Sequence, residues 1–351
     1  MKNMLKVTLV FVMLLTTVFA QAKITGDVRV RPRMDTTDKD DGNDAITKNY
    51  LLYWGRLNVD ADIGGGWSFH TKLATNWVGH WSGIMGENTQ KGGTVNSDGE
   101  SVQFVDRPTV SLMEISMNKN AGNWGVSAGN LPLNGVANHI VDLHYYPTAP
   151  VDIPWAIYHV QSIQGFSGFV NAGPGKLNLA LSIDANQNSD AGDGSVNRKT
   201  LIADYGAAFG PVTVKPQLAM TMDNDSAAAP TTFGAGVSTK VAGYTLSGTY
   251  LMTSNTADGT TNYDGNHIRV GVKGTVGPGF LLAWYDMATY TPDEGGDSKY
   301  GYLWVLYKYT IFSGDKGAIV VMPTIRMRTG APGNTDYSRN KFELTFQLNF
   351  K

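Results

Sequence analysis

The stretch KFELTFQLNF (residues 341–350) alternates strictly between polar and apolar side chains. Successive side chains of a β-strand point to opposite faces of the sheet, so this pattern puts all five apolar residues on one face. The other face carries Lys341, Glu343 and three uncharged polar residues. The stretch therefore predicts a strand with one apolar face and one polar, partly charged face.

The same pattern recurs at the other end of the sequence. In DVRVRPRM (residues 27–34), three arginines and an aspartate alternate with apolar residues and a proline, and the stretches 177–186, 212–223 and 232–241 also have two different faces. A soluble sandwich buries its uniform apolar face, yet here the polar faces carry full charges along the whole chain. An apolar outside and a watery inside are typical of an outer-membrane β-barrel.

Residues 1–22 have the pattern of an export signal. Lys2 and Lys6 precede an apolar run that ends at Phe19, and Ala20-Gln21-Ala22 matches an A-x-A cleavage site. A single membrane-anchor helix is the alternative, but the run is short for one. We expect a signal peptide over residues 1–22 and a barrel domain over 23–351, which would cross the membrane with strands because no later stretch approaches 20 apolar residues.

The composition narrows the function classes. The 351 residues include 41 glycines, 16 tyrosines and 8 tryptophans, as suits a barrel, but no cysteine, which removes disulfides and thiolate metal sites. The formal charge of −2 becomes about −4 if Lys2 and Lys6 leave with the signal peptide. A chain of this charge has no general attraction for nucleic acid, and no nucleic-acid partner is expected.

Two-faced stretches and turn residues predict an antiparallel up-and-down barrel of about sixteen strands. Tight connections, which we expect to be the periplasmic turns, are predicted at 64–66, 119–122, 172–176, 210–211, 242–243, 277–279 and 313–316, where turn-forming residues gather. Longer external connections are predicted between them, the first over 35–49 and the last over 329–337. The predicted strands are 24–34, 50–63, 67–78, 109–118, 123–131, 160–171, 177–187, 198–209, 212–223, 231–241, 244–255, 266–276, 280–290, 300–312, 317–328 and 339–350.

At this level the chain resembles the Gram-negative trimeric porins, taken broadly. The resemblance rests on the export signal, the opening strand ITGDVRVR (residues 24–31), the strand VSAGN (126–130) before a long third loop, and the aromatic last strand. Asn130 stands where such porins often have arginine, and Lys351 follows the terminal aromatic Phe350.

The resemblance implies a water-filled channel in the outer membrane of a Gram-negative bacterium, usually a homotrimer, that passes small hydrophilic solutes. It also implies contacts with outer-membrane lipid and lipopolysaccharide, insertion by the barrel assembly machinery, and a third external loop folded inward to narrow the pore. An external cap is the alternative for that loop. Its candidate constriction residues, within 132–159, are His139, Asp142, His144, Tyr145, Tyr146, Asp152 and Trp155.

Selectivity in such a channel depends on the charges of its wall. Assigning polar faces inward gives twelve basic and seven acidic candidates. In a closed barrel Arg326 and Arg328 would approach the arginines of the first strand, which predicts a weak anion preference. Pairing with Asp27, Glu343 and loop carboxylates is the alternative and would leave little net field. The principal pore-lining candidates are Arg29, Arg31, Arg33, Arg56, Lys72, Glu114, Arg269, Lys308, Arg326 and Arg328.

A second channel type remains open, one specific for sugars or aromatic acids, with Trp54, Trp284, Tyr302 and Trp304 forming an aromatic slide along the pore. An outer-membrane enzyme is disfavoured because the six histidines are scattered and no G-x-S-x-G motif occurs. A soluble all-β adhesin or lectin is the remaining alternative for the class of protein.

Two loops hold possible metal ligands. The acidic first loop, Asp35 to Asp44, lacks the closing glutamate of a calcium loop, and like-charge runs usually stay hydrated. His139, Asp142 and His144 lie within one loop, which is weak evidence for zinc or iron. We therefore predict no metal and no cofactor.

Overall fold

The computed structural model describes most of the chain that follows the predicted signal peptide. The described residues are 22–39, 42, 44–75, 82–83, 94–95, 101–102, 110–132, 140, 162–187, 196–222, 230–256, 262–331 and 334–351. Within these ranges the structure contains no helix with the length and apolar character needed to cross a membrane.

Sixteen long strands account for nearly all of these residues. In chain order they are β1 Ala22–Asp38, β2 Ile46–Gly64, β3 Trp67–Thr75, β4 Val110–Asn120, β5 Trp124–Pro132, β6 Ser162–Ala172, β7 Gly175–Gln187, β8 Val196–Phe209, β9 Val212–Met222, β10 Thr231–Val241, β11 Tyr244–Asn255, β12 Tyr263–Val276, β13 Gly279–Pro292, β14 Ser298–Gly314, β15 Gly317–Ala331 and β16 Asn334–Phe350.

The strands form one closed antiparallel barrel. Each strand pairs with the next in sequence, and β1 also pairs with β16, with Val28 opposite Leu348 and Arg33 opposite Glu343. Closure leaves no unpaired strand edge, which is the condition for a sheet to sit in lipid. The predicted all-β, up-and-down architecture of about sixteen strands is confirmed.

The tight connections all lie at one end of the barrel, together with both ends of the described chain. They are the turns at 65–66, 121–123, 173–174, 210–211, 242–243, 277–278 and 315–316, close to where the sequence predicts them. At the first of these, Gly66 has φ +79°, and an added Cβ would lie 2.2 Å from the Asn120 carbonyl oxygen, so glycine is required there.

The first and last external connections, at the opposite end of the barrel, are shorter than predicted. β1 continues to Asp38, so Asp35, predicted to lie in an acidic external loop, is a buried strand residue. The last external connection, predicted over 329–337, is much shorter, because β15 and β16 remain paired out to Ala331 opposite Asn334. The second external connection adds a short segment, Ser82–Gly83, which pairs with Leu52 and Tyr53 of β2.

The two faces of the strands have opposite exposure. Along β16, Phe346 and Leu348 are 43% and 48% exposed, whereas the neighbouring Thr345 is fully buried and Glu343 is 5% exposed. Val28 on β1 is likewise exposed. The apolar residues therefore form the outer surface of the barrel and the charged residues face its interior, which is the reverse of a soluble protein and typical of a membrane barrel.

Candidate functional site

A dense group of charged side chains lies on the interior face where the barrel closes. We call it the arginine wall. It spans β15, β16, β1 and β2, and its eleven members are Asp27, Arg29, Arg31, Arg33, Asp35, Arg56, Arg326, Arg328, Arg339, Lys341 and Glu343.

Glu343 is the centre of the arginine wall. Arg33 donates from Nε to its Oε1 at 2.6 Å, and the Nη atoms of Arg31 and Arg326 lie 3.3 and 2.9 Å from its Oε2. The predicted approach of Arg326 to the first-strand arginines therefore occurs through one shared carboxylate. Arg328 does not take part; its Nε donates to the Gly330 carbonyl oxygen, and its guanidinium lies 5.1 Å from the Tyr337 ring centroid.

The other two carboxylates of the arginine wall are also shared. Asp27 lies 2.7 Å from Arg29 and 2.6 Å from Arg56. Asp35 accepts two hydrogen bonds from Arg339, at 2.8 and 2.7 Å, and Lys341 lies 3.8 Å away.

Each carboxylate of the wall is thus engaged by at least two cations. The eight cationic and three anionic side chains leave a formal charge of +5 on these eleven residues. The arginines of the wall therefore pair with Asp27 and Glu343, as the second alternative expects, and most of the loop carboxylates that it also names lie outside the described residues.

Next to the arginine wall, two arginines flank a pair of tryptophans. The Trp284 and Trp304 rings are 4.7 Å apart, the Arg269 guanidinium lies 5.0 Å from the Trp284 centroid, and that of Arg326 lies 4.0 Å from the Trp304 centroid. We call this group the Arg–Trp stack. Cations over indole faces are attracted by the ring quadrupole, so the stack holds large side chains in fixed positions on β12 to β15.

The remaining aromatic candidates also face inward. Trp54 lies between Arg29 and Arg56, with guanidinium carbons 5.1 and 4.6 Å from its ring centroid. Tyr302 meets Trp304 edge-on at 6.5 Å. The residues predicted for an aromatic slide therefore lie inside the barrel, but in two separate places, one on β2 and the other on β13 and β14.

Three further pore-lining candidates lie elsewhere. Glu114 and Lys72 form a separate cluster, and Arg269 belongs to the Arg–Trp stack. Glu114 on β4 pairs with Lys72 and, at 3.0 Å, with His70, whose other ring nitrogen lies 2.6 Å from Asp60. Arg269 donates two hydrogen bonds to Asp286, at 2.6 and 2.9 Å.

Lys308 lies apart from these groups. It is an exposed residue of β14 near the tight-turn end. The predicted constriction residues lie outside the described residues: His139, Asp142, His144, Tyr145, Tyr146, Asp152 and Trp155.

Sequence reasoning missed three members of the arginine wall. Lys341 is on the polar face of the opening stretch and Arg339 is two residues earlier, so alternation could have found both. The sequence places Asp35 in a loop because it belongs to a run of five aspartates between 35 and 44, and like-charge runs are usually hydrated. Only its cross-strand partners reveal its position, and these cannot be read from the local sequence.

Comparisons with known proteins locate this barrel among solved structures. No family model matches the sequence, and no curated protein matches it either. The anion-selective porin from Comamonas acidovorans superposes with a TM-score of 0.60 at 15% identity, covering 94% of this chain and 100% of that one. The fold is that of the outer-membrane porins.

Two other porin-fold neighbours cover the chain to a similar extent. OmpF of Salmonella typhi, solved with daunomycin, gives a TM-score of 0.58 at 11% identity over 93% of this chain and 98% of that one. OmpT of Vibrio cholerae, an outer membrane protein in a trimer form, gives 0.59 at 10% identity over 94% and 99%. Identities this low establish the fold, and the porin fold indicates the outer membrane of a Gram-negative bacterium, as predicted.

Proposed function

We propose that the chain forms a water-filled channel for passive diffusion of small hydrophilic solutes, with a weak preference for anions. The excess of positive charge on the arginine wall carries this proposal. Eight cations face three carboxylates on one side of the barrel interior, at the closure between β16 and β1. Passage needs no bond to be made or broken, so no nucleophile, base or cofactor is required of these residues.

The sign of the selectivity follows from electrostatics. Lumen charges act across a narrow aqueous space bounded by low-dielectric protein and lipid, where fields are focused and local counter-ion concentration rises. A wall with a formal charge of +5 attracts anions. Its three shared carboxylates reduce the field without reversing it, which is why the preference is weak. A neighbour with the same fold is itself named an anion-selective porin, which is consistent with this sign.

Reversal potentials in planar bilayers under a potassium chloride gradient test the proposal. We expect a potential of the sign that marks chloride as the more permeant ion. Arg328→Gln should reduce this potential. Arg328 contacts Gly330 and Tyr337 and pairs with no described carboxylate, so its replacement leaves no described carboxylate without a partner. Lys316→Gln, in an exposed turn, removes the same charge away from the wall and is the control. Cation selectivity of the unmodified channel would refute the anion preference.

A substrate-specific channel for sugars or aromatic acids is the second candidate. The inward-facing Trp284 favours it, since its half-buried ring offers apolar contact surface to a passing solute. Liposome swelling with a size series of sugars separates the two candidates. A smooth fall of rate with molecular mass supports general diffusion, and saturation by one solute supports specificity.

Residues 1–22 are proposed to be a cleaved signal peptide, and the assembled form is proposed to be a homotrimer in contact with outer-membrane lipid and lipopolysaccharide, inserted by the barrel assembly machinery. The trimer form recorded for the Vibrio cholerae neighbour supports the oligomer. Chemical cross-linking in native outer membranes tests it, with a ladder ending at three subunits as the expected result. The chain is also proposed to have no enzymatic activity.

A further inference from the structure

The barrel interior contains a recess beside the Arg–Trp stack. It has a volume of about 530 Å³, within the ~300–1,000 Å³ range of small-molecule sites. Its walls come from β9 to β14, a few residues from the turns at 210–211, 242–243 and 277–278, so it lies in the tight-turn half of the barrel.

Small residues give the recess its shape. Gly236 and Gly271 line it together with several serines and threonines of β9 to β11, whereas Trp284 and Trp304 stand at its β13–β14 side. An added Cβ at Gly236 would lie 3.4 Å from Thr249 Oγ1, so a larger residue there would fill space that is now open. The recess is therefore bounded by small hydroxyl-bearing residues on one side and by indole rings on the other.

The charges of the recess are all positive. Lys215, Arg269 and Lys273 line it, and no carboxylate from the described part of the chain does. Lys215 lies 3.3 Å from Asp204, and Arg269 is held by Asp286. Lys273 is exposed and has no hydrogen-bond or ion-pair partner among the described residues, so its ammonium group is available to an anion.

Trp284 gives the recess an aromatic surface. It is the half-buried member of the tryptophan pair, whereas Trp304 is only 4% exposed. Part of an indole ring and a free ammonium thus lie at one recess.

We propose that this recess binds small planar aromatic carboxylates, with the ring against the accessible part of Trp284 and the carboxylate towards Lys273. The inference rests on the proposed channel function and assigns its substrate class. Neutral sugars fit the recess less well, because a sugar carries no negative charge to pair with the Lys273 ammonium.

Isothermal titration of the purified, detergent-solubilised full chain with benzoate tests the site directly. Benzoate should bind, benzamide should bind more weakly because it lacks the charge, and cyclohexanecarboxylate more weakly because it lacks the ring. Lys273→Gln should weaken benzoate binding roughly tenfold, the loss of one charged hydrogen bond. Lys240→Gln removes an exposed lysine of β10 that does not line the recess, and should leave benzoate binding unchanged.

A second variant keeps the test independent of charge. Trp284→Leu removes the aromatic ring and should weaken benzoate binding about fivefold, whereas Trp124→Leu on the outer surface should not. Equal affinity of the Lys273 and Lys240 variants, or binding of glucose in preference to benzoate, would overturn the assignment.

Bilayer recordings separate failure of the site from failure of the channel. Ion conductance with benzoate-dependent interruption of the current is the expected result. Conductance that benzoate does not affect, together with no heat of binding, overturns the recess as a site and leaves the channel intact. Absence of conductance from folded, inserted protein overturns the proposed function itself.

Discussion

Arg326 contacts Trp304 and Glu343 at the same time: its guanidinium carbon lies 4.0 Å from the Trp304 ring centroid, and its Nη2 lies 2.9 Å from Glu343 Oε2. One side chain therefore joins the Arg–Trp stack on β12 to β15 to the arginine wall that closes the barrel. Because Glu343 is shared with two first-strand arginines, the position of the stack depends on the closure between β16 and β1.

The first prediction concerns Glu343. Glu343→Gln keeps the shape of the side chain but removes the charge shared by Arg31, Arg33 and Arg326. Loss of charged hydrogen bonds in this buried position should lower the free energy of unfolding by about 2–3 kcal/mol. The anion preference should increase, because the wall gains one net positive charge. Urea unfolding followed by tryptophan fluorescence and reversal potentials measure the two effects.

Glu294→Gln is the matched control for this prediction. Glu294 is exposed in the connection between β13 and β14, so its replacement removes the same charge away from the wall. Neither stability nor selectivity should change appreciably. Identical reversal potentials for the Glu343 variant and the unmodified channel would show that the wall does not set the field of the pore.

The second prediction concerns ionic strength. The Debye length falls from about 10 Å at 0.1 M salt to about 3 Å at 1 M, so lumen charges act over a shorter range in concentrated salt. The permeability ratio of chloride to potassium should therefore fall towards 1 as the mean salt concentration rises at a fixed gradient. A ratio that stays constant over this range would mean that selectivity arises from pore size and not from the arginine wall.

The third prediction concerns a backbone position of β5. Gly129 has φ +131°, and an added Cβ would lie 2.2 Å from the Ile115 carbonyl oxygen of β4. Gly129→Ala should destabilise the barrel by more than about 1 kcal/mol, because it combines an unfavourable φ with a backbone clash. Gly206→Ala, where nothing lies within 4 Å, should be neutral or slightly stabilising. Urea unfolding curves compare the two; equal midpoints would contradict the prediction.

Alternation was sufficient to predict the fold because every strand of a membrane barrel has one face towards lipid and one towards water. The face of each residue in 341–350 follows from period two alone, and the structure confirms it from Phe342 to Leu348. Turn residues located the seven tight connections for the same reason, since each needs glycine or polar residues over a few positions.

The ends of four neighbouring strands on the side opposite the tight turns were not predictable in this way. β1, β2, β15 and β16 all extend beyond their predicted ends at that side of the barrel, and Asp35, in the added part of β1, pairs across the closure with Arg339 and Lys341. Asp35 is more than 300 positions from both partners in sequence, and on its own it resembles a loop residue. The register that brings them together is a long-range property, as is the sharing of Glu343 by three arginines.

The last prediction tests which face of the barrel meets lipid. Phe346 is 43% exposed on the outer face of β16, and Gln347 is the next residue on the inner face. Phe346→Arg should lower the free energy of unfolding from lipid vesicles by about 2–4 kcal/mol, the cost of a lipid-facing arginine near the bilayer midplane. Gln347→Arg adds the same side chain to a hydrated interior and should cost less than about 1 kcal/mol. Guanidinium unfolding in vesicles measures both, and a larger loss for the Gln347 variant would reverse the assignment of inside and outside.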